Sequence, residues 1–334
     1  MKRIVLSFLL ILVISQIKAQ PLAQRLDSLL LNDPMLRTSE VGITVFDLTT
    51  GESLFQYQDE KLYRPASTEK VVTSVTALAT LGLDYTMDTR LQYTGKIEGD
   101  TLKGNLYLIG GFDPEFMDED LDSLVDVIAQ SGIRYIADTL AADVSMMDSV
   151  YWGNGWSWDD VPDSFQPYMS PLMLNRGCVD VTVIPAKKDS LPIIECVPAS
   201  DYYQVDNDGV SNNPQAGNLR ITRNWLHNGN LIHVSGNVSK KTTRTLSIYT
   251  SKDFFFHTFI NRLKEKGIEA NTTAFADCPK NDSLRVVSPL FTLQRPIGEV
   301  LTQMMKESDN LCAESMFYHL ALHYAQKERV TDND

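Results

Sequence analysis

Apolar positions at Leu22, Leu26, Leu29 and Leu30 recur at helical spacing and stop before Pro34, so the first predicted element is a helix. Val41, Ile43 and Val45 then alternate, Thr49-Thr50-Gly51 reads as a turn, and Leu54 to Tyr57 returns. Residues 40–58 are therefore expected to form a β-hairpin. After Pro65 a helix is predicted from about Ser67 to Leu81, closed by Gly82. Its interior (Val71, Val72, Val75, Ala77, Leu78, Ala79) is almost uncharged, the pattern of a helix buried on most sides. Ser67, Glu69 and Lys70 in its first turn are polar groups where a packed core would not want them.

From about Leu91 the texture changes to short strands and turns. Leu106 to Ile109 is an apolar run ending in Gly110-Gly111, and Leu121, Leu124, Val125 and Ile128 make an amphipathic helix closed by Gly132. Residues 150–175 are aromatic and turn-rich. Strands dominate from about 178 to 250, with a hairpin expected at Asn228-Gly229. Phe254 to Lys266 forms a further helix before Gly267. Pro296 opens the first of a closing helical pair, and Ser308 or Asp309 can cap the second, whose Ala313, Phe317, Leu320 and Tyr324 are expected to line one face. A charged tail, Gln326 to Asp334, follows.

The N-terminus changes the compartment. Met1-Lys2-Arg3 is a positive n-region, Ile4 to Ile14 is apolar apart from Ser7, and Ala19 offers a cleavage point before Gln20. Such a run is too short for a permanent membrane span, so residues 1–19 read as a signal peptide. No cysteine follows the run, which argues against a lipid anchor, and no later segment is long and apolar enough to span a bilayer. The chain is expected to be exported to the periplasm or beyond. Its formal charge is −13, and losing Lys2, Arg3 and Lys18 makes it three units more negative. That balance argues against nucleic acid or an anionic membrane surface as partner.

The four cysteines, Cys178, Cys196, Cys278 and Cys312, fit no metal-site spacing and are too sparse for a disulfide scaffold. Cys178 and Cys196 read equally as a bridge or as free thiols. His319 and His323 lie four apart, but Leu320 stands where a zinc-protease helix needs glutamate, so they read as surface or packed histidines. No metal or organic cofactor is expected.

Ser67-Thr68-Glu69-Lys70 is the first candidate for chemistry. A serine hydroxyl needs a base within hydrogen-bond reach, and on a helix residues three apart share a face. Burial of the helix would lower the lysine's affinity for its proton, and the helix N-terminus points N–H groups at developing negative charge. Alone the pattern is weak: Ser15 to Lys18 matches it too, and an N-capping serine beside a solvated lysine gives the same letters. Ser308-Asp309-Asn310 is the second candidate, since an S-x-x-K serine and an S-D-N triplet occur together in β-lactamases and penicillin-binding proteins. Ser211-Asn212-Asn213 also fits S-x-N, but in a Gly/Pro/Asn-rich loop with no helix to hold it, so Ser308 is preferred.

Several further stretches then carry a resemblance. Arg64-Pro-Ala-Ser-Thr-Glu-Lys70, Leu108-Ile-Gly-Gly-Phe-Asp-Pro114, Gly155-Trp-Ser-Trp-Asp-Asp160 with Tyr168 and Pro171, Phe254 to Ile268, and Ser308-Asp-Asn-Leu-Cys-Ala-Glu314 stand in order along the chain. Together they resemble the class C low-molecular-mass penicillin-binding proteins, the D-alanyl-D-alanine carboxypeptidase/endopeptidase group of peptidase family S13. The resemblance implies an α/β (α+β) β-lactamase/transpeptidase-like catalytic domain with large, mainly-β inserted domains. Residues 20–88 and 286–334 would form the discontinuous catalytic domain and 89–285 the insert. It implies Ser67 as nucleophile, Lys70 as base, Ser308 as proton relay and Asn310 as substrate clamp, with peptidoglycan stem peptides and β-lactams as partners. Asp160, with Tyr168 or Phe165 near it, would read the stem peptide's free amino group, although Asp160 reads equally as a turn or capping carboxylate.

One departure stands beside the matches. No Lys-Thr-Gly or Lys-Ser-Gly occurs in the chain, and only residues 311–334 follow Asn310. The family's third motif would supply a cation for the substrate carboxylate and one oxyanion-hole N–H, whose loss typically costs about 10²- to 10³-fold in rate. The chain is therefore expected to be C-terminally truncated. An inactive fragment that only binds peptidoglycan peptides is the alternative to an enzyme, and the long insert disfavours a β-lactamase.

Overall fold

The structure, a computed structural model, describes residues 20–281, 286–325, 329 and 330. The apolar N-terminal run, the Ser15–Lys18 match and most of the charged tail lie outside the described residues. Two compact units follow one another, one ending at Ala66 and one beginning at Ser67.

The first unit holds α1 (Leu22–Asn32) and a hairpin of β1 (Ile43–Asp47) and β2 (Glu52–Tyr57). The hairpin forms where the alternation of Ile43 and Val45 predicts it, with a bulge between Val45 and Phe46. Asp47 closes the turn by accepting the Thr49 and Thr50 N–H groups, and Gly51 at φ +74° completes it.

The second unit opens with α2 (Glu69–Leu81) and then builds a seven-stranded sheet. Its strands are β3 (Thr86–Thr94), β4 (Lys96–Glu98), β5 (Thr101–Lys103), β6 (Leu106–Ile109) and β7 (Tyr135–Asp143), with α3 (Asp118–Gln130) before β7. The strand order is β15-β3-β6-β7-β5-β4, where β15 is Val287–Pro296, and β14 (Glu269–Phe275) adds to β7 in parallel. Thus β3 and β15, far apart in sequence, lie antiparallel side by side from Thr86↔Pro296 to Thr94↔Val287.

Two three-stranded sheets occupy the middle of the chain. One pairs β13 (Thr242–Ser247), β8 (Cys178–Ile184) and β9 (Ile193–Val197); the other pairs β10 (Gln204–Ser211), β12 (Leu231–Val238) and β11 (Arg220–Arg223). β11 and β12 are antiparallel, as the Asn228-Gly229 signal predicts. Their connection is longer than a two-residue turn because Trp225–His227 forms a 3₁₀ turn and Asn228 takes φ +53°. α4 (Ser251–Glu265) buries Phe254, Phe255 and Phe259 in the same core as Leu121, Leu124 and Ile128 of α3. α3 stops where Gly132 takes φ +85°, and its first turn is closed by Asp120 Oδ2 accepting the Met117 N–H at 2.9 Å.

α5 (Ile297–Lys306) and α6 (Asn310–Ala325) close the described chain and form a second core with α2: Ala77, Val300, Leu301, Met304 and Met316. Here two expectations are corrected. α2 is not buried on most sides: Val71, Val72 and Val75 are 49%, 59% and 62% exposed, and the buried positions are Lys70, Ser74 and Ala77. The small side chains of Ser74 and Ala77 let α5 and α6 approach closely, which the valines would prevent. On α6 the buried face carries Leu311, Cys312, Ser315, Met316, Tyr318 and His319, whereas Phe317 and Tyr324 are exposed. Both helices are apolar around most of their circumference, so the pattern selects no single face.

The four cysteines are free thiols. β8 and β9 pair with Val181 opposite Cys196, which offsets Cys178 by three residues, about 10 Å along the strand. That separation exceeds what a disulfide spans.

Candidate active site

Ser67 lies in the 3₁₀ turn that runs directly into α2, and Lys70 sits in the first turn of that helix. The three-residue spacing puts both side chains on one face, and the Lys70 Nζ donates to Ser67 Oγ at 3.3 Å. Ser308 occupies the turn between α5 and α6, in the left-handed region at φ +57°. This conformation, uncommon for a residue with a side chain, delivers its hydroxyl to the same point. Ser308 Oγ donates to Ser67 Oγ at 2.6 Å and accepts from Lys70 Nζ at 3.5 Å.

Asn310, the first residue of α6, completes the set: its Oδ1 accepts from Lys70 Nζ at 2.7 Å. The ammonium of Lys70 carries three donors and finds three acceptors, on Ser67, Ser308 and Asn310. Lys70 is buried while Ser67 and Ser308 are exposed, so the two hydroxyls face solvent and the lysine backs them. Ser74 holds the helix behind it by donating to the Lys70 carbonyl at 2.7 Å. Burial pushes the Glu314 carboxyl up from its ordinary value, and the nearby Lys70 charge pulls it back.

Asn310 Nδ2 turns the other way and donates to the Phe165 carbonyl at 3.1 Å. This contact joins α6 to the aromatic segment, and it uses the backbone of Phe165 rather than its ring. A hollow of about 340 Å³ opens beside it, lined in part by Ser164, Phe165, Arg176, Asp180, Ser308 and Asn310. The structure thus brings Ser67, Lys70, Ser308 and Asn310 together. Asp160 and Tyr168 do not line that hollow. Asp160 ends a 3₁₀ turn, Trp158–Asp160, and its carboxylate makes no hydrogen bond or ion pair among the described residues. Tyr168 is buried against Tyr151, Trp152 and Tyr249, with the Arg223 guanidinium 5.7 Å over its ring.

The competing Ser211-Asn212-Asn213 triplet is occupied elsewhere. Ser211 Oγ accepts the Ala186 N–H, Asn212 donates to the Ala186 carbonyl, and Asn213 caps the Pro214–Ala216 turn.

Sequence reasoning missed the charges around Asp309. Its Oδ1 accepts the Cys312 N–H at 3.0 Å and caps α6, while Arg176 stands 3.5 Å from its other oxygen and is bidentate on Glu115. Nothing in the spacing of Arg176 or Glu115 announces this.

The chain's relatives can now be set beside this geometry. The model of the D-Ala-D-Ala carboxypeptidase 3 (S13) family matches residues 22–334. The chain belongs to that family. It is 26% identical over 298 residues to the D-alanyl-D-alanine carboxypeptidase of an Actinomadura species, covering 86% of this chain and 55% of the relative. It is also 26% identical over 297 residues to D-alanyl-D-alanine carboxypeptidase DacB of Haemophilus influenzae, covering 86% and 60%. The chain therefore spans little more than half the length of these relatives. Among solved structures, penicillin-binding protein 4 (dacB) from H. influenzae superposes with a TM-score of 0.71 at 25% identity, over 87% of this chain and 64% of that one. A second structure of that protein, complexed with a β-lactam, gives 0.66 at 24%. The S13 chain thus has the α/β fold of that penicillin-binding protein, including the added β-sheets of its middle section.

Proposed function

We propose that this S13 chain carries the acylating serine site of a D-Ala-D-Ala carboxypeptidase/endopeptidase that acts on peptidoglycan stem peptides and is acylated by β-lactams. The observation that carries this reading is the convergence of Ser67, Lys70, Ser308 and Asn310, with Ser308 Oγ 2.6 Å from Ser67 Oγ and Lys70 Nζ within 3.5 Å of both hydroxyls. Membership of the S13 family and the names of its relatives support the substrate class.

The chemistry follows from those distances. Lys70, once neutral, takes the proton of Ser67 as Ser67 Oγ attacks the carbonyl carbon between the two D-alanines. Ser308 bridges lysine and nucleophile, so it passes that proton to the departing amine as the C–N bond breaks. An ester on Ser67 remains. Water attacks the ester, its proton leaves by the same route, and Ser67 is regenerated. In a β-lactam the broken C–N bond belongs to the ring, so the amine stays tethered and the ester persists. Asn310 keeps Lys70 in place and offers its amide to a substrate carbonyl. Ser67 at the helix N-terminus places the charge of the tetrahedral intermediate at the positive end of the α2 dipole.

The remaining assignments belong to the same proposal. Residues 89–285 form the inserted part, leaving from within β3 and returning just before β15, with 20–88 and 286–334 as the catalytic part. Asp160, on the segment tied to Asn310 through Phe165, takes the free amino group of the stem peptide, and Tyr168 supports that segment from within. The chain works outside the cytoplasm; no helix among the described residues is long and apolar enough to cross a membrane.

The test is intact-mass analysis after incubation with benzylpenicillin, beside Ser67→Ala. One adduct per chain, lost in the variant, is expected. No adduct, or an adduct that survives the substitution, would sink the assignment of Ser67.

A further inference from the structure

The segment Gly110–Glu115 stands out in the sequence, yet none of its side chains reaches Ser67 or Lys70. Its contacts show what it touches. The Phe112 carbonyl accepts from Ser315 Oγ on α6 at 2.6 Å, and Asp113, fully buried, faces Arg295 at 3.2 Å. Glu115 takes a two-pronged contact from Arg176: Nε to Oε1 at 3.0 Å, and Nη2 to Oε1 and Oε2 at 2.8 Å each. It also accepts from Cys312 Sγ at 3.6 Å. The same guanidinium lies 3.5 Å from Asp309, the residue between Ser308 and Asn310.

The donor atoms of Glu115, Asp309 and Cys312 all lie within 4.8 Å of one another. Two carboxylates that close repel, and a cation must sit against them; here it is Arg176. Its side chain is about one-third exposed, and those of Glu115 and Asp309 are each 15% exposed, so solvent screens the group only in part. The backbone is shaped for this as well. Arg176 takes φ +58° and Asn175 φ +47°, two successive left-handed residues that turn the guanidinium back toward α6.

We propose that Arg176, backed by Glu115, is a positioning residue that fixes the Ser308–Asn310 turn. Neutralising Asp309 and Glu115 together lets Asp309 keep its cap on the Cys312 N–H. That cap holds the first turn of α6, and with it Asn310 on Lys70 and Ser308 in its left-handed conformation. The inserted part of the chain thereby sets the geometry of two of the four site residues without touching the reacting atoms. This inference rests on the acylation reading for its kinetic arm only.

The experiment uses the full chain and the variants Arg176→Ala, Arg176→Lys and Glu115→Gln. Amide hydrogen exchange at Cys312 reads the cap, thermal unfolding reads global stability, and intact mass reads the benzylpenicillin acylation rate of folded protein. Arg176→Ala is expected to speed exchange at Cys312 about tenfold while Leu106–Ile109 on β6 stays unchanged. Acylation should fall on the order of 100-fold, the scale of an ångström-sized misplacement. Arg176→Lys, which keeps the charge but loses the fork, should recover part of both, and Glu115→Gln should move both the same way. Unchanged exchange at Cys312 overturns the proposal. So does exchange that rises equally everywhere with a lowered melting point, which marks a role in stability alone. Should the unsubstituted chain fail to acylate, the acylation reading falls, and exchange at Cys312 still decides the role of Arg176.

Discussion

Lys70 and Asn310 are hydrogen-bonded at 2.7 Å although 240 positions separate them, and the pair joins the first helix of the second unit to its last. Lys70 is buried, so its ammonium depends on this amide oxygen and on two serine hydroxyls for all of its donors. The bond fixes where Nζ points, and therefore which hydroxyl it can deprotonate.

Asn310→Ala removes that anchor and the tie to the Phe165 carbonyl together. Acylation by benzylpenicillin should slow by about 10- to 100-fold with little loss of folded protein. Asn310→Asp is the sharper test. A carboxylate set 2.7 Å from Nζ opposes the lysine's role as a base, so acylation should fall at least as far as in Asn310→Ala. Acylation of Asn310→Asp at the parent's rate would remove Lys70 from the role of base.

Burial of His319 makes stability depend on pH. The ring is 3% exposed, with Nδ1 against the Tyr85 hydroxyl at 2.8 Å and Nε2 without a hydrogen bond among the described residues. Burial pushes it down to about 4, against the opposing pull of the Gly111 and Phe112 carbonyls and Asp88. Below its ordinary value near 6.5 the unfolded chain binds a proton that the folded chain refuses. The stabilisation is thus full above about 6.5 and lost as pH falls toward 4, on the order of 3 kcal/mol in all. Asp113 acts with the opposite sign: burial raises it to about 6 despite Arg295, so its contribution fades as pH rises through that value. Comparing urea midpoints of the parent and His319→Gln from pH 7 to 4 isolates the histidine, and the variant should show the shallower acid loss.

The sequence discloses the site better than the surfaces around it. Ser67-x-x-Lys70 is legible because a helix makes three-residue spacing a contact, and Ser308 because a serine between two predicted helices must sit in a fixed turn. Arg176 and Glu115 are not legible, since an ion pair across 61 positions leaves no periodic mark. The buried faces of α2 and α6 escape for another reason. Where valine, leucine and phenylalanine ring a helix, periodicity cannot say which side packs, and small residues such as Ser74 and Ala77 settle it by allowing close approach. Asp160 enters through the resemblance alone: nothing in its spacing marks a ligand, and it ends a 3₁₀ turn outside the hollow beside Asn310.

The cysteines give a redox prediction. Cys178 is buried with its thiol pushed up to about 12, and burial raises Cys312 as well, whereas Cys196 and Cys278 are half-buried. Native protein at pH 8 should expose at most two thiols to a chromogenic disulfide, and all four after unfolding. Reductant should leave the melting temperature unchanged. Fewer than four thiols in the unfolded, unreduced chain would reveal a bridge and contradict the offset between β8 and β9.

Two glycines separate close packing from chain flexibility. A Cβ on Gly111 would stand 2.2 Å from the Asp88 carbonyl oxygen on β3, a contact only a backbone shift relieves. Gly298, in the first turn of α5, has open space where its Cβ would go and needs no left-handed backbone. Gly111→Ala should therefore destabilise by about 2 kcal/mol or more, the usual scale of a forced backbone clash. Gly298→Ala should be neutral or stabilise by up to about 1 kcal/mol, because alanine loses less freedom on entering a helix. Thermal unfolding of the two variants decides it. Since the Gly111 segment also carries the Phe112 carbonyl that holds Ser315 on α6, Gly111→Ala should slow acylation even where the chain remains folded, while Gly298→Ala should not. Equal melting points for the two variants would mean that β3 and the Gly110–Glu115 segment are not packed as tightly as these distances require.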